Sequence, residues 1–449
     1  MRLEALPTIF RQVLAEQLAG SLQTPPPAHT TRRVYGLTRF PGKATAVVGM
    51  RRAGKTTFLH QLRQEFTTTG AGPARTPYLS FEDERLTGLE ARHLDFLLDE
   101  YRRLSPAEPA AALVMWCFDE IQLVPGWERF VRRLLDTESV QVLVTGSSAA
   151  MLSREIATAL RGRAWQVLMH PFGFDEALRH QGLELPERTG FLPRDERARL
   201  EREFAAWLVA GGFPEAQGLD VASRHQLLRD YVDVSILRDV VDRHGVGNVT
   251  GLRWLVRQLL GNAGGSFSVE KYHAALRSQG IAIARDTVHQ FLGHLEDCFL
   301  VRVVWMESNS ERQRMVNPRK AYPVDPGLIP VFDRTGRANL GHALETAVLI
   351  ELERRRLDVT YVRTRQGYEV DFLVRSADGR RELIQICADA SDPGTAEREI
   401  RALIAAGEQY PDAEMRLLTL NRAGLPDTLP DGVVAQPAWI WMLEYGDPD

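Results

Sequence analysis

Apolar and polar positions along the chain follow two periods, and the switches between them mark the elements. Ala44-Thr45-Ala46-Val47-Val48 reads as a strand, and Thr56 to Phe66 repeats its apolar residues at helical spacing. The alternation continues with a strand over Pro77 to Phe81, a helix over Leu86 to Leu104 and a buried strand over Ala111 to Phe118. A helix over Trp127 to Asp136 and a strand over Val140 to Thr145 complete it. Strand, helix, strand, helix at this spacing predicts an α/β fold, a parallel sheet with helices on both faces.

Beyond about Pro171 the strand pattern stops. Asp195 to Val209 and Ser223 to Arg243 read as long helices joined by Gly211-Gly212-Phe213-Pro214-Glu215, a sharp break. Three shorter helices follow, at Leu252 to Leu260, Val269 to Ser278 and Asp286 to Glu296. With strands at Phe299 to Trp305 and Arg319 to Val324 they have the order of a winged helix. From Gly341 a helix (His342 to Arg355) precedes strands at Val359 to Thr364, Glu369 to Arg375 and Glu382 to Ala388. A helix (Gly394 to Ala406), a strand (Glu414 to Leu420) and an aromatic-rich end (Trp439 to Tyr445) close the pattern. Ahead of it all, an amphipathic N-terminal helix runs into the Pro25-Pro26-Pro27 loop.

Composition narrows the class. At 449 residues the chain has room for roughly three domains of ~150 residues. With 44% hydrophobic and 25% charged residues it is an ordinary folded protein, and a net charge of −4 excludes a globally basic nucleic-acid coat. The three cysteines, Cys117, Cys298 and Cys387, are far apart and form no CxxC pair, so no disulfide framework or zinc ribbon is expected. Arg11, Gln12 and Glu16 interrupt the first apolar stretch, and the run Ala110 to Phe118 is about half a membrane span. A cytoplasmic protein without a membrane segment is the expectation. Of 55 basic residues only Lys43, Lys55, Lys271 and Lys320 are lysine. Codon usage accounts for the bias, and it draws attention to each lysine retained.

One of them lies in Gly49-Met50-Arg51-Arg52-Ala53-Gly54-Lys55-Thr56, which fits GxxxxGK[ST] at every fixed position. Two glycines let the backbone turn tightly and aim N–H groups at phosphates, and the helix that follows adds its positive dipole end. Lys55 is placed to reach β- and γ-phosphates and Thr56 to bind Mg²⁺, with Arg51, Arg52, Ala53 and Thr57 completing the cradle. One strand–helix unit downstream, Leu113 to Phe118 ends in Asp119-Glu120. Asp119 suits Mg²⁺, directly or through water, and Glu120 suits polarisation of the attacking water. The next strand ends in Thr145-Gly146-Ser147-Ser148. Ser147 is the first choice for a polar group beside the γ-phosphate, with Thr145 and Ser148 as alternatives. Arg154 and Arg161-Gly162-Arg163 are candidate arginine fingers.

These motifs, with Phe118-Asp119-Glu120-Ile121-Gln122, Gly211 to Glu215 and Gly341-His342-Ala343-Leu344-Glu345, occur in an order that resembles a known family. It is that of the prokaryotic AAA+-type ATPases with a C-terminal uncharacterised domain related to PD-(D/E)XK nucleases. The resemblance runs from about residue 35 to Tyr445. It implies an N-terminal helical segment and loop (1–34), an AAA+ P-loop core (35–180) and a helical lid (181–248). A winged-helix domain (249–325) and a PD-(D/E)XK-like C-terminal domain (326–449) follow. It also implies ATP and Mg²⁺ as cofactors and a homo-oligomeric switch or motor, with a ring as one form of assembly.

Two regions bear on partners. The third short helix offers Arg285, His289, Gln290 and His294, and the following segment adds Arg312, Arg314, Arg319 and Lys320 as phosphate-binding candidates for DNA or RNA. In the C-terminal domain the nuclease-like pattern falls on Glu345, Glu369, Asp371, Gln385 and Cys387. Glu369 and Asp371 are two apart on a strand and share a face, as do Gln385 and Cys387. Gln385-Ile386-Cys387 stands where the family has E-x-K. A neutral amide is a weaker ligand for a hard cation than a carboxylate, and a thiol cannot replace an ammonium. Arg363 or Arg365 could compensate from a neighbouring strand. The expectation is an ATPase that couples turnover to movement or assembly of the winged-helix and C-terminal modules. The alternatives are an ATP-gated DNA or RNA nuclease, and a nucleotide-dependent scaffold with slow hydrolysis.

Overall fold

The computed structural model describes residues 6–109, 112–147, 160, 162–186, 189, 192–333 and 339–444. It divides into two units, Met1–Met169 and His170–Asp449.

The first unit is built on five parallel strands, β1 (Ala44–Val48), β2 (Tyr78–Ser80), β3 (Val114–Asp119), β4 (Val140–Gly146) and β5 (Ala164–Leu168), in the order β2-β3-β4-β1-β5. Every residue of β1 and β3 is buried, as expected of strands covered on both faces. Helices α1 (Thr8–Gln23), α2 (Lys55–Phe66), α3 (Asp95–Leu104) and α4 (Trp127–Thr137) flank the sheet. The expected helix over Leu86 to Leu104 begins nine residues late, at Asp95. Gly88 adopts φ +89°, which breaks the helical path, and two short 3₁₀ turns (Glu84–Leu86 and Ala91–His93) carry the chain instead. The N-terminal helix closes the sheet edge at β2. Gln17 donates to the Ser80 carbonyl (3.1 Å) and accepts from the Ser80 N–H (2.8 Å), so one amide side chain takes the place of a sixth strand.

The second unit opens with α5 (Phe174–His180), α6 (Arg194–Ala210) and α7 (Val221–Val234). The glycine-proline break lies where expected, between α6 and α7. A Cβ on Gly211 would lie 1.9 Å from Asp325 Oδ1, and one on Gly212 would lie 2.1 Å from the Phe172 carbonyl oxygen. Asp325 is fully enclosed. Its carboxylate accepts from the N–H of Gly212 (2.7 Å) and of Gly327 (2.9 Å), pinning the break to the turn at residues 325–328.

Burial pushes the Asp325 carboxyl up from 3.8 to about 7, against the opposing pull of those two N–H groups and of Arg354. Its folded value lies above its unfolded one, so the folded state holds the proton between pH 4 and 7 while the unfolded chain has released it. The contribution is present at low pH and is lost as pH rises towards 7. Between pH 5 and 8 the loss is about 2–3 kcal/mol. Urea midpoints should therefore fall with pH more steeply in the wild type than in Asp325→Asn. Parallel pH profiles of the two proteins would contradict this.

Next come α8 (Val249–Gly261), β6 (Ser266–Phe267), α9 (Val269–Ser278), α10 (Arg285–Asp297), β7 (Val301–Val304), α11 (Glu311–Val316), β8 (Arg319–Pro323) and α12 (Ile329–Phe332). The three strands form an antiparallel sheet in the order β6-β8-β7. The last part has α13 (Leu340–Arg354), β9 (Asp358–Arg363), β10 (Glu369–Arg375), β11 (Arg381–Ile386), α14 (Pro393–Gly407), β12 (Ala413–Thr419), β13 (Val433–Pro437) and α15 (Ala438–Glu444). Its sheet runs β13-β12-β11-β10-β9, antiparallel through β9, β10 and β11 and parallel from β11 to β13. Period-2 alternation gives the sheet two apolar faces. Phe372, Ile384 and Leu418 pack with α13, whereas Leu373, Leu383 and Leu417 pack with α14. Tyr322 of β8 belongs to the α13 side, so the small and large sheets share a core. No helix among the described residues is long and apolar enough to cross a membrane.

Candidate functional site

The loop between β1 and α2 turns on three residues with positive φ, Gly49 (+153°), Arg52 (+65°) and Gly54 (+96°). At position 49 a Cβ would lie 2.1 Å from the Met169 carbonyl oxygen, so only glycine fits between β1 and the end of β5. Gly54 caps α2 in the left-handed region and leaves the helix N-terminus clear of side-chain caps. Lys55 is buried. Its ammonium donates to the carbonyls of Gly49 and Met50 at 3.1 Å each and lies 3.9 Å from Glu120 Oε1. Arg51 pairs with Glu82 at 3.4 Å, the Ala53 carbonyl accepts from Arg32 at 2.9 Å, and Arg52, Thr56 and Thr57 are exposed.

Across the sheet, β3 ends in the two acids. Asp119 Oδ2 accepts from Thr56 Oγ1 (2.8 Å) and from Tyr78 Oη (2.9 Å), and its Oδ1 accepts from Thr145 Oγ1. Thr145 Oγ1 also accepts from the Glu120 N–H at 2.8 Å, so one hydroxyl at the tip of β4 holds both acids. Glu120 has φ +52° and accepts from Gln122 Nε2. Burial raises its pKa above the usual carboxylate range, Lys55 opposes this, and Asp119 adds to it. Tyr78 is likewise pushed up, first by burial and then by Asp119, and stays a neutral donor.

The sequence-derived residues of this site therefore converge, with a difference in the third strand. Among Thr145, Ser147 and Ser148 the hydroxyl on the two acids is Thr145. Ser147 is fully buried, and Ser148 lies outside the described residues, as do Arg154 and Arg161. Arg163 forms an exposed ion pair with Asp136. Tyr78 was legible only as a strand residue, since its reach to Asp119 follows from β2 lying beside β3. Thr145→Val would remove the Asp119 contact and leave the Glu120 N–H without its acceptor, a cost of about 1–3 kcal/mol. Thr145→Ser, which keeps the hydroxyl, should recover most of that stability. Urea midpoints of Thr145→Val equal to the wild type would contradict this positioning role.

The donor set fits a nucleotide with its cation. A glycine-lined loop, a helix N-terminus and a buried ammonium suit phosphates, and a hydroxyl and carboxylate in mutual contact are hard oxygen donors of the kind Mg²⁺ prefers.

Of the residues read as a nuclease-like pattern, Glu345, Glu369 and Asp371 meet on one cation, and Gln385 bonds the Asp371 backbone, while Cys387 lies beside Asp389. Lys320, taken from the sequence as a phosphate-binding candidate, is buried on β8 and surrounded by Glu345 (3.1 Å), Glu369 (2.9 Å) and Asp371 (3.0 Å). Tyr322 donates to Glu345 at 2.6 Å. Gln385 Oε1 accepts from the Asp371 N–H at 3.3 Å, and its amide donates to Glu399 at 2.8 Å. Cys387 Sγ is 3.2 Å from the Asp389 carbonyl. Arg363 and Arg365 are exposed. The cation beside Glu345, Glu369 and Asp371 comes from the small sheet.

On the helical surface, Arg285, His289, Gln290 and Arg312 are exposed. His294 stacks on His244 with ring centroids 3.7 Å apart, and Arg314 and Arg319 lie over the Trp305 ring at 5.8 and 3.7 Å.

Comparison with known proteins agrees with the first site. Residues 41–178 match the AAA domain family, and residues 201–337 match a domain of unknown function. An uncharacterised protein of Methanocaldococcus jannaschii is 29% identical, over 97% of each chain. One of Haemophilus influenzae is 28% identical over 74% of this chain and 79% of its own. A Walker-type ATPase of Pyrococcus abyssi overlaps 72% of this chain and 95% of its own, at 16% identity and a TM-score of 0.40. Glycine loop, apolar strand with paired acids, five-stranded parallel sheet and family match coincide on one segment: residues 41–178 are an AAA-type P-loop domain.

Proposed function

We propose that this protein binds and hydrolyses ATP at the loop Gly49–Thr57 and the acids Asp119 and Glu120. One observation carries the reading: Lys55 and Thr56 from the loop and Asp119 and Glu120 from β3 are joined through the Thr145 hydroxyl into one contact set. Lys55 neutralises the β- and γ-phosphates, exchanging its two carbonyl partners for phosphate oxygens. Thr56 and Asp119 would hold Mg²⁺, which would supply charge neutralisation on the phosphates. Glu120 accepts the proton of the attacking water, and Tyr78 and Thr145 keep Asp119 in place. Backbone N–H groups of Arg51, Arg52, Ala53 and Gly54 cradle the phosphate chain, with Thr57 beside them.

The helices after the core serve as the lid (181–248), followed by the winged-helix (249–325) and C-terminal (326–449) modules. Three helices with an antiparallel three-stranded sheet support the winged-helix reading. The helix–strand–strand–strand–helix–strand order after Gly341 supports a degenerate PD-(D/E)XK-like core that binds or assembles and does not cleave. Turnover then drives movement of these modules, in a homo-oligomer, on DNA or RNA touched through Arg285, His289, Gln290 and Arg312.

Phosphate release from ATP by the purified chain tests the reading. Mg²⁺-dependent release that stops on chelation is expected, with light scattering showing a nucleotide-dependent change in mass. Absence of both nucleotide binding and release would overturn it.

A further inference from the structure

Three carboxylates and one lysine meet in the second unit, outside the nucleotide chemistry. Lys320 reaches them from the middle strand of the small sheet, Glu345 from α13, and Glu369 and Asp371 from β10. The lysine side chain is 5% exposed, those of Glu345 and Asp371 13% each, and that of Glu369 44%.

Several features show a built arrangement. Asp371 Oδ2 accepts from the Ile386 N–H at 3.0 Å, and Glu345 accepts from Tyr322 Oη, so both acids are oriented by groups other than the ammonium. Position 264 is glycine where a Cβ would lie 2.9 Å from Glu345 Oε2. The Tyr361 ring stands 5.6 Å from the ammonium, and its hydroxyl donates to the Pro318 carbonyl at 2.6 Å, two residues before Lys320. The carboxylates hold the ammonium strongly in its charged form, overcoming its burial. Among the described residues no group of three or more His, Cys, Asp or Glu is arranged to hold a metal ion.

The Lys320 ammonium, with one oxygen of each carboxylate at 2.9–3.1 Å, is the cation that balances these three acids. We propose that this cluster is a cation site whose resident cation is the protein's own Lys320, and that the lysine excludes a divalent metal while fastening the small sheet to the C-terminal sheet. The proposal is independent of ATP hydrolysis.

The test uses the full chain without nucleotide. Mn²⁺ binding is followed by the loss of its free-ion paramagnetic resonance signal, and thermal unfolding is followed with and without millimolar Mn²⁺. The wild type should show no Asp371-dependent Mn²⁺ uptake and no Mn²⁺-dependent shift in melting. Lys320→Met leaves three carboxylates without their cation, so it should melt earlier and recover when Mn²⁺ is added. It should bind one Mn²⁺ at least about tenfold more tightly than the wild type. Adding Asp371→Asn should abolish that gain. If Lys320→Met does not fold alone, recovery on refolding in Mn²⁺ supports the proposal, and failure with Mn²⁺ as without it overturns it. Mn²⁺ uptake by the wild type that disappears in Asp371→Asn would also overturn it, by showing a metal site in the native protein. So would a folded Lys320→Met that neither binds nor responds to Mn²⁺.

Discussion

Lys55→Ala is expected to abolish ATP binding, whereas Glu120→Gln keeps binding and loses about 10²–10⁴-fold in turnover. The two substitutions separate because the residues act at different stages. The Lys55 ammonium is the buried positive charge of the loop, and alanine leaves nothing to offset the phosphates. Glutamine at 120 is nearly isosteric with glutamate and keeps an oxygen for Gln122, but it cannot accept a proton. Fluorescent-nucleotide titration and phosphate release distinguish the outcomes. Undiminished hydrolysis by Lys55→Ala would remove the proposed function altogether. Glu120 also predicts a pH profile. Burial holds its pKa above the ordinary range, so the basic form is depleted at low pH and turnover should rise as pH climbs. The residual rate of Glu120→Gln should lack that rise.

Arg354→Ala should cost about 3–5 kcal/mol of stability without touching the nucleotide site. Arg354 is buried at the end of α13. It meets Glu176 of α5 at 3.1 Å, the Pro171 carbonyl at 2.6 Å and Glu351 at 3.3 Å. The Glu176 side chain is completely enclosed, and it also accepts from the Gly173 N–H at 2.9 Å. Removing the guanidinium strands this carboxylate away from water, which is the costly way to break a buried pair. Replacing both partners, as Arg354→Met with Glu176→Gln, should recover much of the loss. Urea midpoints of the wild type and the two variants give the comparison. A single substitution with less than about 1 kcal/mol of effect would show that water reaches Glu176.

The parts legible in the sequence are those whose chemistry is fixed by short spacing. Gly49 to Thr56 and Asp119-Glu120 each lie on contiguous residues, so a linear pattern finds them. Thr145 could only be placed among three hydroxyls, because the choice depends on where β4 ends relative to β3. Lys320 reads in the sequence as a phosphate-binding candidate because its partners lie on α13 and β10, and no local pattern links them. The short strands β5, β6 and β13 escaped for a related reason. β5 and β13 are edge strands with half-exposed positions, and β6 has two residues, so none shows a clear apolar period. Gly88, inside the helical pattern of Leu86 to Leu104, is the residue that marks the late start of α3.

The scarcity of lysine has a practical side once its burial is known. Lys55 and Lys320 are enclosed, Lys43 is half-buried against Phe40 at 5.4 Å, and Lys271 alone among the four is exposed. An amine-reactive dye applied to the native protein would therefore mark the start of α9 almost alone among lysine side chains. Acylation spreading to Lys320 would report that the small sheet had come away from its carboxylates, and acylation spreading to Lys55 would report that the nucleotide loop had opened.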